Sequence, residues 1–468
     1  MKNKMKTNIR HSKILAVFIL LIIGITLILL AWMQACQKSF NGQNASTTVL
    51  EYDGSPTHTY FVNINVGNLS VDVGQAIFAT PTIYRGSLLV STMGNETDLN
   101  NSRYDLTYGE LFRINLTTGK IVWSIKFPDQ IMSQPITVGN IIIVAMGNNL
   151  EVPPQYYNTK YGIYAVDFNT GKVLWNDTTQ ITNMPTPAFY KGVIIEPNEG
   201  EINIINVSNG QIVKTIFLGI PDTLSSPMIY NNTAYFGTCE ASVYGFNATN
   251  FKQKDVETNC WFFALDLRNY SIKWKTHFPY AGGGLNDVSP AYWQGKVITG
   301  YLFESDYEDP VMVAMNSSTG KIIWEVNTTQ INYTIQPSIP PCIPFWYNQN
   351  AISPITVING TAYFDSNFDG RLVAVNITSG KLEWALSTGG QTESNPNTFY
   401  GGKYLIIAND YGDMFVINTT TGNPLNVFCT HIPHLENEVV ITNNSAILAG
   451  MNGEIKAYPL KSLIGENQ

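Results

Sequence analysis

Charge is scarce in this chain. Only 13 % of its 468 residues are Asp, Glu, Lys or Arg, and the formal net charge is −8. No basic patch follows the first few residues, which excludes a nucleic-acid-binding surface. Cysteine is scarce too. The five cysteines contain no Cys-x-x-Cys, so a zinc site of common spacing is excluded and the metal expectation is none. The EF-hand pattern is missing as well, and the acidic run Glu304, Asp306, Glu308 and Asp309 reads as solvated surface. Aromatics, by contrast, make up 12 % of the chain, which suits a β-rich body with a large buried area.

The N-terminus is a separate object. Lys2, Lys4, Lys6, Arg10 and Lys13 precede Ile14–Met33, about twenty nearly uninterrupted apolar residues, long enough to span a bilayer as a helix. A cleaved signal peptide has a shorter apolar core, so this segment reads as a retained anchor, with the positive flank inside. Residues 1–13 are then a cytoplasmic basic flank, 14–33 a transmembrane helix, 34–46 a polar stalk, and 47–468 the extracellular body. Met33-Gln34-Ala35 does not match a small-residue lipobox, so Cys36 reads as a plain juxtamembrane thiol. About seventeen Asn-x-Ser/Thr triplets, Asn44, Asn95, Asn231, Asn247 and Asn443 among them, agree with an extracellular glycoprotein. Several others, such as Asn115 and Asn376, sit where a turn wants Asn anyway. An Ile-, Asn- and Tyr-rich, charge-poor composition suggests an archaeal surface protein.

The body is organised around one recurring stretch. Gly162–Trp175 reads GIYAVDFNTGKVLW: an alternating strand, an Asp/Asn-x-Thr-Gly-Lys turn, and a second strand ending in Trp. Leu111–Trp123, Met312–Trp324 and Leu372–Trp384 repeat it. Degraded copies keep the outline: Asn203–Lys214 has Lys in place of Trp, Phe262–Trp274 has Tyr270 in place of the turn Gly, and Met414–Asn426 keeps Gly422. The copies recur roughly every 40 to 60 residues, the range of propeller blades and solenoid units. A second marker is a small or polar pair, a proline and an apolar run, at Pro81, Pro135, Pro187, Pro227, Pro290, Pro354 and Pro396. Proline is tolerated at the first position of a strand, so each marks the start of an inner strand.

Seven four-strand units follow, with an eighth, three-stranded, from Glu436 to Leu460. A strand from Thr47–Leu50 or Thr59–Val66 is expected to complete the eighth and close the ring. The expected fold is all-β, an eight-bladed β-propeller with seven blades as the alternative.

The outline of proline, two apolar strands and Ala-x-Asp/Asn-x-x-Thr-Gly-Lys-x-x-Trp resembles the PQQ-like propeller repeat, from about residue 73 to the end. The resemblance implies that Trp123, Trp175, Trp274, Trp324 and Trp384 each dock on the turn glycine of a neighbouring blade. Quinone-dependent dehydrogenases of that family usually carry a vicinal Cys-Cys pair, which this chain lacks. No cofactor is expected.

Insertions fall in the second-to-third-strand connections (Thr92–Tyr108, Asn148–Tyr161, Cys239–Cys260, Glu304–Pro310) and in the inter-blade connection Ile331–Asn350. In an up-and-down blade these leave from one side of the disc, where function is usually carried. Cys239 and Cys260 bracket one such loop and suit a disulfide. Cys342 and Cys429, in two inter-blade connections on that side, offer a second. His431 and His434 are a weak metal pair without helical spacing. Around the axis, residues just before the inner-strand prolines are mostly bland (Phe78, Met132, Met184, Leu224, Ala351), and two are acidic: Asp287, after a Gly282-Gly283-Gly284 approach, and Glu393. Two carboxylates facing a funnel suit acid–base chemistry. The alternative task, accepting backbone amides at strand starts, weighs as much for Glu393.

Three functions fit this outline. One is a quinoprotein dehydrogenase. Another is a scaffold similar to the propeller subunits of outer-membrane assembly machines. The third rests on similarity in architecture to the tetrathionate hydrolases of acid-loving sulfur oxidisers. In strong acid most carboxylates are neutral, and the 27 Lys and Arg with 5 His leave the body positive enough to steer a dianion. The expectation is a membrane-anchored hydrolase acting on a small inorganic sulfur anion. Asp287 orients or deprotonates water, Glu393 is second, and Arg103 and Arg113 hold the anion. Expected partners are the substrate, the membrane through the N-terminal helix and, as an open alternative, a second copy in a homodimer.

Overall fold

The second strand of nearly every unit reads as an unbroken apolar run, as in Ile141–Met146 (IIIVAM), because both of its faces are covered by neighbouring sheets. Fourth strands alternate instead, since one edge faces water: Ile121–Phe127 buries Phe127 and exposes Ile121 and Val122. The computed structural model describes residues 51–94, 108–147, 161–179, 185–198, 200–219, 225–239, 259–285, 288–303, 309–328, 330–335, 342, 353–366, 370–390, 394–433 and 437–465. Their strands form eight antiparallel up-and-down sheets, an eight-bladed β-propeller. Blade one contains Thr82–Tyr84, Ser87–Ser91, Gly109–Asn115 and Ile121–Phe127. The inner strands of blades two to eight are Ile136–Val138, Ala188–Tyr190, Met228–Tyr230, Ala291–Trp293, Thr356–Ile358, Asn397–Phe399 and Val440–Thr442.

The repeated turn explains both the hairpin and the ring. In blade one, Asn115 Oδ1 accepts from the Thr117 and Thr118 amides (3.0 and 2.9 Å), and Gly119 takes a φ of 66°. A register shift opposite Trp123 then aims the indole at the next blade. Trp123 lies over Gly171, where an added Cβ would stand 2.8 Å from the ring, and its Nε1 donates to Phe168 O (3.1 Å). Trp175, Trp274, Trp324 and Trp384 repeat the contact on Gly210, Gly320, Gly380 and Gly422. Their indoles donate to the carbonyls of Val207, Ser317, Ile377 and Thr419. Two of the degraded copies meet each other: Lys214 Nζ donates to Tyr270 O (3.3 Å), so these two lapses share the junction of blades three and four.

The ring closes with a strand the sequence did not single out. Strand β1 (Phe61–Val62) pairs in parallel with Val440–Thr442 on the axial side of blade eight. Strand β2 (Ser70–Asp72) pairs with Glu454–Pro459 and supplies that blade's fourth strand. The span Thr59–Val66 is thus partly a strand, but at the axis, and Thr47–Leu50 lies outside the described residues. Val71 of β2 comes up to Gly119 of blade one, at 3.4 Å from an added Cβ, in the place a docking Trp holds elsewhere. Among the described residues no helix is long and apolar enough to cross a membrane, and Ile14–Met33 lies outside them.

Candidate functional site

Strand order sorts the two faces of the disc. First-to-second and third-to-fourth connections are tight turns on one face, while every long connection is rooted on the other. At that second face the inner strands begin with proline, which has no N–H to give its partner strand. Nearby hydroxyls take its place: Ser133 Oγ accepts from Ala145 N and donates to Ala145 O (2.8 and 2.9 Å), and Ser353 does the same with Asp365 (2.8 and 3.2 Å). Residues immediately before the prolines link blade to blade. The Gln134 amide donates to Thr186 Oγ1 and the Thr186 amide to Ser226 Oγ, both at 2.9 Å. Across the closing junction, the Glu438 amide donates to Thr80 Oγ1 (3.1 Å). A polar collar therefore surrounds the axis at the long-loop face.

The axis itself is filled. Residues 51–62 run along it and hydrogen-bond to blades one, two and four to eight. Glu51 Oε2 accepts from Ile229 N (2.7 Å), Pro56 O from Tyr292 N (2.7 Å), Thr57 O from Val357 N (2.9 Å), and the Tyr60 hydroxyl from Ile83 N (2.7 Å). Asp53 accepts from Asn395 Nδ2, and its amide donates to Gln134 Oε1 (2.8 Å). Asn397 Nδ2 donates to Tyr60 O (3.0 Å), and the Tyr60 amide to Glu438 Oε1 (3.3 Å). Asp53 and His58 both hold left-handed φ of 48°, so the segment is bent against its own preference to fit.

Three carboxyls are buried in this arrangement: Glu51 (8 % exposed), Asp53 (0 %) and Glu438 (1 %). Burial pushes Glu51 up to about 8, against the pull of the Ile229 amide. Asp53 and Glu438 hydrogen-bond to each other, and burial followed by the Asp53 charge holds Glu438 well above the usual carboxyl range. Burial raises Asp53 too, and the two carboxyls share their hydrogen bond. This also accounts for Asp53 Oδ1 and Glu438 Oε2, which find no other partner. His58, buried and bonded through Nδ1 to Ile355 O (3.0 Å), is pushed down to about 4 and stays neutral. Glu51, Glu438 and His58 thus favour their neutral forms.

Asp287, Glu393 and Arg103 lie outside the described residues. Their neighbours are placed: Val288 and Ser289 precede Pro290 in blade five, Ser394 and Asn395 precede Pro396 in blade seven, and all four are buried at the collar. Arg113 is on the opposite, tight-turn side of blade one. Its Nε donates to Ser87 Oγ (2.9 Å), its Nη1 to Phe168 O (3.1 Å), and the guanidinium lies 4.0 Å from the Phe168 ring centroid. That placement joins blades one and two and does not bring Arg113 to the collar. Both disulfides are formed as paired above, Cys239–Cys260 and Cys342–Cys429. His431 stands beside the second, and His434 is outside the described residues. The sequence reading missed Glu51, Asp53 and Glu438. Only Glu438 carried a local signal, because it holds the collar position in the one blade without an inner-strand proline.

The family model for the outer membrane protein assembly factor BamB matches residues 85–258 and 263–446. The chain is 24 % identical over 384 residues to the tetrathionate hydrolase of Acidithiobacillus ferrooxidans, covering 75 % of this chain and 69 % of that one. It is 26 % identical over 390 residues to the tetrathionate hydrolase of Acidianus ambivalens, covering 76 % and 68 %. Among solved structures, BamB from Moraxella catarrhalis superposes with a TM-score of 0.57 at 13 % identity, over 84 % of this chain and all of that one.

Proposed function

This chain belongs to the family of the outer membrane protein assembly factor BamB, and within that family we propose that it hydrolyses an inorganic sulfur anion, with tetrathionate as substrate. The observation that carries the reading is the likeness to two tetrathionate hydrolases over three quarters of the chain. The axis supports it. Its three carboxyls favour their protonated forms, so the scaffold that carries the collar suits acid, where such chemistry is expected to run.

The reaction adds water across the sulfur chain: tetrathionate and water give thiosulfate, sulfate, one sulfur atom's worth of product and two protons. Asp287, just before the buried Val288 and Ser289, orients the water and receives its proton. Glu393, at the matching place in blade seven, is the second candidate, and Arg103 a holder of the dianion. The proposed setting is the outer side of a membrane, with the body anchored through Ile14–Met33. Purified protein incubated with tetrathionate across the acid range is expected to release thiosulfate and sulfate. No turnover anywhere in that range sinks the reading.

A scaffold reading has its own support. The outer strands expose apolar residues around the rim: Ile121 and Val122, Val173 and Leu174, and Ile212, Val213 and Phe217 in blades one to three, and Ile272, Ile323, Leu382 and Leu425 in blades four to seven. Pull-down of a stoichiometric protein partner that is lost on Phe217→Ser would favour it.

A further inference from the structure

The two disulfides have opposite surroundings. Cys239 and Cys260 are completely buried at the ends of adjacent strands, among Phe262, Phe278 and Leu285. Cys429 is exposed at the end of the outer strand Pro424–Cys429 of blade seven, and Cys342 is half-buried. The second pair also has an imidazole against it. His431 Nδ1 and Nε2 lie 3.4 and 3.5 Å from Cys429 Sγ, and Nδ1 lies 3.9 Å from Cys342 Sγ.

That imidazole is held in place. Thr430 is buried, with its Oγ1 donating to Gly412 O (2.8 Å) and its amide to the same carbonyl (2.9 Å). Ile432 is buried too, and its amide donates to Thr430 Oγ1 (3.2 Å). Between these anchors His431 takes a left-handed φ of 59°, which turns its exposed ring back over the sulfur pair. The acidic group facing the site is Asp413, whose Oδ2 accepts from the Cys342 amide (3.3 Å) and so holds the backbone of the other cysteine.

We propose that Cys342–Cys429 is a thiol-exchange site, opened by small thiols with His431 stabilising the departing sulfur. An incoming thiolate attacks Cys342 Sγ, the Sγ–Sγ bond breaks, and its electron pair leaves on Cys429 Sγ beside the imidazole, which in its protonated form supplies the proton. Cys342 is left in a mixed disulfide with the thiol. A second thiolate attacks the thiol's own sulfur and releases Cys342, so two thiols are oxidised to one disulfide as the protein disulfide is reduced. The other pair is buried, has no imidazole against it among the described residues, and takes no part.

Opening also releases Cys342 from blade seven. Blade five leads to Cys342 through residues 330–335, which lie on the edge of blade six: Thr334 Oγ1 donates to Ala385 O (2.8 Å), the Ile335 amide donates to Ala385 O (3.1 Å), and the Ser387 amide donates to Ile335 O (3.0 Å). The disulfide ties the end of that path to blade seven.

The test uses the whole native protein with glutathione as the probe, alkylation of freed thiols and peptide mass spectrometry. Cys429 is expected to be alkylated and Cys342 glutathionylated at least about tenfold faster than Cys239 or Cys260 react. His431→Ala is expected to slow opening about tenfold, and His431→Lys to restore part of the rate. Equal opening of both disulfides overturns the proposal, as does an unchanged rate in His431→Ala. His431→Gln, which keeps the bulk of the side chain, repeats the comparison if His431→Ala lowers the melting temperature. An unchanged rate there is equally fatal.

Discussion

Asp53 and Glu438 hydrogen-bond to each other, and that contact joins the axial segment to the last blade. The pair shares no blade and is far apart in the chain, yet each carboxyl completes the other's bonding. Its removal should therefore be felt as loosening of ring closure.

The first expectation is a stability that rises as pH falls. Glu51 has a folded value of about 8, above its unfolded 4.5, so the folded state binds more protons between those limits. Its contribution is complete below about 4.5 and is lost as pH rises through 8; Glu438 adds to this in the same direction. His58 opposes it, costing stability as pH falls from 6.5 through about 4. With the carboxyls outweighing His58, the melting temperature at pH 5 should exceed that at pH 8, a difference worth a few kcal/mol. Glu51→Gln should flatten the profile. A protein more stable at pH 8 than at pH 5 contradicts the account.

Replacing a docking indole should be costly. Trp324→Ala empties a contact over Gly380 and leaves Ile377 O without its donor, and a loss of about 3 kcal/mol is expected by chemical denaturation. Gly380→Ala attacks the same contact from the other side, since the new Cβ would stand 2.7 Å from the ring at a φ of 66°. Lys214→Ala, at a junction without an indole, should cost less than about 1 kcal/mol.

Activity should separate from stability at Asp287. Asp287→Asn is expected to lower tetrathionate turnover by about a hundredfold or more while leaving the melting temperature within a degree or so. Glu393→Gln should do less. Full activity in Asp287→Asn clears that residue.

Deleting the chain through Val62 should leave β2 able to complete blade eight and still cost most of the stability. Such a truncation strips the axis of Tyr60 and Val62 and leaves Gln134, Asn395 and Glu438 without the groups they now meet. A truncated protein that melts where the full chain does would show that the axial segment is ornamental.

What could be read beforehand was what is written locally. The turn chemistry of Asn115 to Gly119, the docking of Trp123 and its counterparts, and both cysteine pairs each depend on residues within one repeat or on the symmetry of repeats. Ser70–Asp72 escaped because three mostly exposed residues carry almost no pattern, and their partner strand lies at the far end of the chain. Asp53 escaped for the same reason. Its environment is assembled from Gln134, Asn395 and Glu438, which only ring closure brings together. Arg113 was placed by its neighbour in sequence, the first long loop, whereas the strand carries it to the other face, onto Phe168.

The axle of this wheel is made before any of its spokes. Phe61 and Val62 must wait beside an empty place until Val440–Thr442 has been synthesised, and Ser70–Asp72 until Glu454–Pro459 has followed. A nascent chain halted in blade seven would therefore carry an unfilled hub and two strands without mates. Quality control that samples such exposed edges has its longest opportunity just before the final blade emerges.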